Sequence, residues 1–472
     1  DGQDPADGNS LRVVLEGIGR AKEMRFDFEG AAEAYSRLMR EGQERGDLAM
    51  TLSGRNKSAL ISGMMFADAE NALDELAATE AAARAASEES GLAEACMYQC
   101  FLRTARGEFD QVEFYMAELT ALGEKLQDSD TELFGMVHHA NTLTFATKAD
   151  LAIEKGEKAL ARAEEHGNLK YQAEILTMGL PFSHLQRGEV ETALSYVERG
   201  LEIAAQIGHH AAEVFAAIVQ GKVAMGQGYY ADALALFRRA EEAAQATGMP
   251  PYIALGKCVT GTCYSSIGGA YHQQATEIHS ETLEISEMPM GDQMGAWVWS
   301  EIGHCALASG DVDVAEELFH RALDRRTVAM YISRPEALQG LIDVAVVRGD
   351  LEEARNRLDE LREYVRGRDM TNALPTLLMS EAKVAGAMGE HARAIEVLDE
   401  CLGELAGTGF KRTELDVHAA RIRELRALGD AEAASAARAD FETVGRAILS
   451  RVGNDDMRAA FGQSILDMVD EV

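Results

Sequence analysis

The chain has 472 residues, 47% of them hydrophobic and 26% charged, with a formal net charge of -34. That apolar content suffices for a large folded body and excludes an intrinsically disordered chain. The acidic field repels phosphate backbones and anionic lipid faces, so no nucleic acid and no membrane is expected among its partners.

Only 6% of the residues are aromatic and seven are proline, while Ala, Leu, Glu and Arg recur throughout. This mixture favours helix over sheet. Six cysteines without a CxxC pair suit a reducing cytoplasm.

In chain order, the opening DGQDPADGNS has no Met, no basic stretch and no apolar core. It is read as a linker or disordered start, residues 1–10, of a piece of a larger protein and not as a signal peptide. From residue 11 to 450 the chain repeats itself. A Gly, followed by an acidic or small residue except where Tyr229 follows Gly228, recurs at Gly107, Gly188, Gly228, Gly269, Gly310, Gly349, Gly389 and Gly429, a spacing of about 40 residues or twice that. Five positions after these glycines come Val112, Ala193, Ala233, Gln274, Ala315, Ala354, Ala394 and Ala434, and the same register extended falls on Ala31, Ala72 and Ile153. The Lys148 region and Gln274 depart from the pattern. About eleven copies cover nearly the whole chain.

Within each copy, apolar residues recur at helical spacing on both sides of the Gly, as in DALALFRRAEEAA and DVAEELFHRAL. Each copy is therefore expected to be a helical hairpin, with the Gly in the turn and an acidic residue starting the second helix. RGD at Arg45–Asp47, HGN at His166–Asn168 and IGH at Ile207–His209 read as the ends of second helices. Pro250, Pro251, Pro289, Pro335 and Pro375 fall near starts of first helices, where a missing N–H costs little. Pro181 falls inside a helix and is expected to kink it.

The copy at residues 297–323 carries the clearest family likeness. Trp299, Ile302, Gly303, Ala306, Gly310, Val312, Ala315, Phe319 and Ala322 resemble the tetratricopeptide repeat (TPR) pattern, as do Ala217, Gly221, Ala224, Gly228, Tyr230, Ala233, Phe237 and Ala240. The resemblance implies an all-α fold, an α-solenoid superhelix of about eleven hairpins. The period exceeds the usual TPR unit of about 34 residues, and in that respect the chain is similar to the extended arrays of MalT-like signalling ATPases. The tail after the last hairpin, NDDMRAAFGQSILDMV, resembles the closing helix behind TPR arrays in large bacterial regulators. Residues 451–472 are expected to form a capping helix in which Met457, Phe461, Ile465 and Met468 cover the last hairpin.

Catalytic motifs are missing by residue type. GKCVTGT at Gly256–Thr262 lacks the Lys-Ser/Thr end of a phosphate loop, and HExxH, GxSxG and GxGxxG do not occur. Cys258, Cys263, His272, His279, His304, Cys305 and His320 fall in two neighbouring copies. Cys258 and Cys263 nevertheless lie about 140° apart around one helix, poorly placed to share a metal. Cys96 and Cys100 occupy the columns held by Trp299 and Gly303 and are read as core. The His138–His139 and His209–His210 pairs are read as exposed or capping. No enzyme activity, metal or cofactor is expected of these residues.

The first helices of a solenoid line its concave side, where such arrays bind their partners. The register places Met97, Phe101, His138, Thr142, Met178, Phe182, Lys222, Met225, Cys258, Thr262, His304, Asp343 and Lys383 there. Lys222 and Lys383 are too far apart in the register to make a clamp for an acidic C-terminus. Met97, Phe101, Met178, Phe182 and Met225 suggest an apolar groove instead. The expected function is a non-catalytic protein–protein interaction module, compatible with a homo-oligomer. It would be the C-terminal scaffold or regulatory arm of a larger bacterial signalling protein, binding a peptide or a domain, one of its own parent chain included. The resemblance to MalT-like arrays implies the alternative, a small-ligand sensor.

Overall fold

The computed structural model describes residues 8–23, 27–65, 68–288 and 291–470, and all regular structure among them is helical. Counting 169–186 as one helix, there are 23 helices. They are α1 (Gly8–Glu23), α2 (Phe28–Arg45), α3 (Leu48–Met65), α4 (Ala69–Ala86), α5 (Glu89–Ala105), α6 (Phe109–Leu126), α7 (Ser129–Phe145) and α8 (Ala149–Glu165). Next come α9 (169–186), α10 (Val190–Ile207), α11 (His210–Gly226), α12 (Tyr230–Thr247), α13 (Pro250–Ile267), α14 (His272–Ser286), α15 (Gly295–Ala308) and α16 (Val312–Asp324). The last are α17 (Met330–Arg348), α18 (Leu351–Gly367), α19 (Leu374–Ala387), α20 (His391–Leu405), α21 (Lys411–Leu428), α22 (Ala431–Leu449) and α23 (Asp455–Asp470). Taken in pairs, α1 to α6 form three helical hairpins and α9 to α22 a further seven, the repeat of an α-solenoid; α7 and α8 come between them in the chain, and α23 follows. Residues 1–7 and Pro289, to which the sequence assigns a linker and a helix start, lie outside the described residues.

The turns form where the glycines fall. Gly310 has φ +86°, a left-handed conformation that a β-carbon would strain, and the other seven repeat glycines are left-handed too. Of the three copies without a glycine, two have this point outside the described residues, and the third places Thr147 there, with φ +59°. Counting five from Thr147 gives Ala152, which is buried, so the column belongs to Ala152 and not to Ile153. The same correction applies to Gln274. A 3-10 turn, Gly269–Tyr271, inserts one residue, so Ala275 is buried and Gln274 faces solvent. Helix starts are capped by side chains as the sequence suggests. Asp27 accepts from Gly30 N at 3.0 Å and Asp350 from Glu353 N at 3.1 Å.

Small residues on first helices let the hairpin partner approach. Phe319 on α16 is fully buried with its ring against Gly303 on α15 and Gly340 on α17; a β-carbon built there would lie 2.7 and 2.2 Å from it. Ala315, Leu318, Phe319 and Ala322 are the buried stripe of α16, while α11 is buried nearly all round. Second helices are thus amphipathic and outer, and first helices are inner. Cys96 and Cys100 belong to the core cluster formed with Leu92, Val112 and Met116.

Two prolines are accommodated inside helices. Pro335 cannot donate to Tyr331 O, and the Tyr364 hydroxyl supplies the missing hydrogen bond at 2.8 Å. Pro181 follows a π-helical turn at Ile175–Gly179, in which Leu180 N donates to Ile175 O. This turn is the form that the expected disturbance of α9 takes, and it rotates the residues after it relative to those before.

The chain forms two compact units, divided between Thr142 and Leu143 inside α7. In the second unit the hairpins wind tightly enough to meet their own later turns. Arg187 pairs with Asp369 at 2.6 Å, Ala231 N donates to Val452 O at 3.1 Å, and Arg412 Nη1 donates to Ser266 O at 2.9 Å. The closing helix α23 joins this seam. Phe461 is buried against the Tyr230 ring, 5.3 Å between centroids, and Ser464 Oγ donates to Ile267 O at 3.2 Å.

Candidate functional site

The inner helices of the second unit surround a cavity of about 400 Å³. Phe182, Leu185 and Gln186 reach it from α9, just after the π turn. Ile218, Val219 and Lys222 come from α11, and Trp297, Ser300, Glu301 and His304 from α15. Ile332, Ser333, Glu336 and Gln339 of α17, with Asn372, complete the wall. On each helix these positions recur at three- and four-residue spacing, which puts them on one face. The volume falls in the range of small-molecule and side-chain sites.

One wall is aromatic. Phe182 meets Phe215 and Trp297 edge to face, with 6.1 Å between centroids in both pairs, and Phe215 continues to Tyr252. The adjoining wall is charged. Lys222 Nζ forms an ion pair with Glu301 Oε1, which also accepts from Trp297 Nε1 at 3.1 Å, and the ammonium lies 5.4 Å from the Trp297 ring. Enclosure disfavours both charges, yet the pairing outweighs it. The Lys222 pKa is raised and that of Glu301 lowered, with the Trp297 donor helping to hold the carboxylate.

His304 Nε2 lies 2.9 Å from the Glu336 carbonyl oxygen, so that nitrogen carries the proton. Enclosure lowers the His304 pKa despite the opposing charge of Asp343, and the imidazole is neutral at pH 7. The Glu336 carboxyl has neither an ion pair nor a side-chain hydrogen bond to another residue among the described residues. It is exposed to the cavity, but the helices around it leave little bulk water. That enclosure pushes its pKa up to about 7, with the Glu301 charge adding to the rise and Lys222 opposing it. Ser300, on the same wall, is 2% exposed, and its Oγ has no hydrogen-bond partner.

The structure brings Phe182, Lys222 and His304 together in this cavity. Asp343 and Lys383 form a 2.7 Å ion pair in a second hollow of about 320 Å³, walled also by Met379, Arg423 and Glu424. Both lysines of the inner register are therefore neutralised by a carboxylate. Met178 is half-buried in the π turn, and Met225 and Thr262 are half-buried on α11 and α13.

Cys258 is corrected: it is fully buried, its Sγ 3.8 Å from Val298 O, because α13 packs that face against α15. In the first unit, Met97 packs on the α5–α6 core cluster, Phe101 is 39% exposed, and His138 lies tilted against Phe134 with 4.1 Å between ring centroids. Thr142 is corrected as well, being 2% exposed and thus out of a partner's reach. Of the histidine pairs, His209 caps α11, accepting from Ala212 N at 3.3 Å.

The repeat register does not single out Trp297, Ser300, Glu301 or Glu336. Glu301 and Trp297 lie one and two turns before His304 on the same face, and Glu336 two turns before Asp343. A charged residue recurring at those offsets is the signal the sequence offers.

No protein-family model matches the sequence, and no curated protein does either. Solved structures do resemble it. A Rap protein complexed with Competence and Sporulation Factor is 13% identical, with a TM-score of 0.53 over 76% of this chain and 99% of that one. The fold is TPR-type. The apo form of the quorum sensor NprR from B. thuringiensis is 13% identical, with a TM-score of 0.47 over 74% of this chain and 97% of that one. The APC/C hetero-tetramer Cut9-Hcn1 is 12% identical, with a TM-score of 0.44 over 97% of this chain and 96% of that one. No helix among the described residues is long and apolar enough to cross a membrane.

Proposed function

We propose that the chain is a non-catalytic binding module whose second unit takes a peptide segment of a partner protein into its interior cavity. The observation that carries this reading is the convergence of α9, α11, α15 and α17 on one aromatic-walled cavity with its charges already fixed in place. A site preorganised in this way loses little entropy when occupied. The Rap protein of like fold is complexed with Competence and Sporulation Factor, which supports a binding role for an array of this fold. In this reading the array begins with α1 at Gly8 and not at residue 11, residues 451–472 are its cap, and the whole is the regulatory arm of a larger cytoplasmic signalling protein.

A second reading, a small-ligand sensor of the MalT-like kind, is favoured by the closure of the second unit on itself. The seam at Ala231–Val452 and Arg412–Ser266 limits the entry of bulky partners.

Selection of a random peptide library on the intact chain tests the first reading. Peptides bound by the wild type should be lost with Phe182→Glu, which removes part of the aromatic wall and puts a charge in its place, and kept with Phe101→Glu in the first unit. Peptides unaffected by Phe182→Glu would overturn it. Retention of small amphiphiles but no peptide would transfer support to the sensor reading.

A further inference from the structure

If the cavity is the binding site, as proposed above, its chemistry specifies the ligand more narrowly than its shape does. Its charges do not balance. Lys222 is committed to Glu301, which is further held by the Trp297 indole N–H, so neither offers a free charge to a ligand. His304 donates to a main-chain carbonyl and stays neutral. The Glu336 carboxyl is left over, exposed to the cavity without a cation among the described residues. The Ser300 hydroxyl and the Gln186 amide oxygen also lack a hydrogen-bond partner, but both atoms are buried out of a ligand's reach. Opposite polarity in the ligand would satisfy Glu336: a cation seated on its carboxyl.

Most of the remaining lining is hydrocarbon and aromatic, with Phe182, Leu185, Trp297 and Ile332 beside the amides of Gln186, Gln339 and Asn372. An anion would meet Glu336 and Glu301 and lose its hydration without recompense. A purely apolar ligand would bury Glu336 unpaired. A cation on an apolar body meets neither penalty, and aromatic faces attract it further.

We propose that the cavity binds an organic ammonium or guanidinium group carried on an apolar body, with the cation seated on the Glu336 carboxylate and the body against Phe182 and Trp297. The same chemistry is offered by a free amine metabolite and by a lysine or arginine beside an apolar residue in a peptide. The raised Glu336 pKa agrees with this geometry, since a seated cation would return the carboxyl to its ionised form.

The test uses the full chain and tryptophan fluorescence, because Trp297 forms part of the wall. Phenethylammonium, neutral 2-phenylethanol and anionic 3-phenylpropionate are titrated side by side, and capped Ala-Phe-Lys-Ala is compared with capped Ala-Phe-Gln-Ala. The ammonium should bind about tenfold more tightly than the alcohol, as expected for one charge-assisted contact, and the propionate most weakly. Glu336→Gln, nearly isosteric and on a cavity-exposed side chain, should abolish that preference, and Glu336→Asp should keep part of it. Tighter binding of phenethylammonium than of the Lys peptide points to a metabolite source, and the reverse order to a peptide. Equal binding of ammonium and alcohol, a preference that survives Glu336→Gln, or no response to either cation overturns the proposal. If selected peptides still depend on Phe182 in those cases, the cavity remains the binding site and only the charge assignment falls.

Discussion

Removing the carboxylate of Glu301 should destabilise the second unit more than any loss of contact area would suggest. Glu301→Ala leaves the Lys222 ammonium enclosed without its partner and the Trp297 indole N–H without its acceptor. Breaking a fully buried pair costs about 3–5 kcal/mol. Here the Lys222 and Glu301 side chains keep 28% and 17% of their exposure, so water from the cavity recovers part of that loss, and about 2–3 kcal/mol is expected. Lys222→Met with Glu301→Leu removes both charges at similar volume and should return to within about 1 kcal/mol of the wild type.

Urea unfolding followed by tryptophan fluorescence is the suitable assay, because both tryptophans, Trp297 and Trp299, lie on α15. The midpoint should fall with the slope unchanged. The sign of the pH dependence is fixed as well. Glu301 has a lowered pKa, so its contribution is present above the ordinary carboxylate range and is lost as pH falls through the folded value. The wild type and Glu301→Ala should therefore converge in acid. A single variant within about 0.5 kcal/mol of the wild type, or a double variant no more stable than the single, would refute the assignment of a buried, mutually dependent pair.

Three other perturbations have defined outcomes. Gly340→Ala gains about 1 kcal/mol of helix propensity but puts a β-carbon 2.2 Å from the trapped Phe319 ring. Net destabilisation of about 1–2 kcal/mol is expected, and Phe319→Leu in the same chain should relieve part of it, as read by thermal melting of the two variants. Binding of phenethylammonium should strengthen as pH rises towards 7 and then level, weakening by up to about tenfold per unit below that value. Glu336 must ionise to accept the cation, and His304 on α15 adds repulsion if it protonates at lower pH. Lys222 and Glu301 stay ionised throughout, so a titration with Glu336→Gln should lose the carboxyl step. Arg412→Met removes the hydrogen bond to Ser266 O and should loosen the seam. Amide exchange on α23 and at residues 266–269 should speed by about tenfold, with α15 unaffected; uniform protection across the seam would show that Arg412 does not hold it.

The hairpin architecture was legible because it depends on local chemistry. A left-handed turn selects glycine, a hairpin crossing selects a small residue five positions on, and both recur at a period that a reader can count. Reading failed where a single residue shifted the phase. Thr147 adopts the left-handed turn without a glycine and moves the column to Ala152, and the 3-10 turn after Gly268 moves it to Ala275. Pro181 announced a disturbance of α9 but not that a π turn would absorb it.

The site was legible only in part, for a different reason. A column drawn along the sequence identifies the inner face of each first helix to within about a residue. It cannot report which inner faces meet. Phe182, Lys222 and His304 were found by register, whereas Glu301 and Glu336 emerged only as partners and walls of a cavity. Cys258 and Thr142 were misplaced because a rotation of one position about a helix axis turns a cavity-facing side chain into a packed one.

The sequence by itself determined the repeat, the all-helical hairpins, the turn positions and the acidic surface, since each follows from conformational preference or charge within a few tens of residues. Only the tertiary structure decided that the later hairpins of the second unit meet the middle ones through Val452, Arg412 and Phe461, and that Lys222 finds its carboxylate 79 residues away. The reason is geometric. Small rotations between successive hairpins accumulate over many repeats, and no local residue pattern states their sum. That sum sets the size of the cavity and leaves Glu336 facing it without a counter-charge.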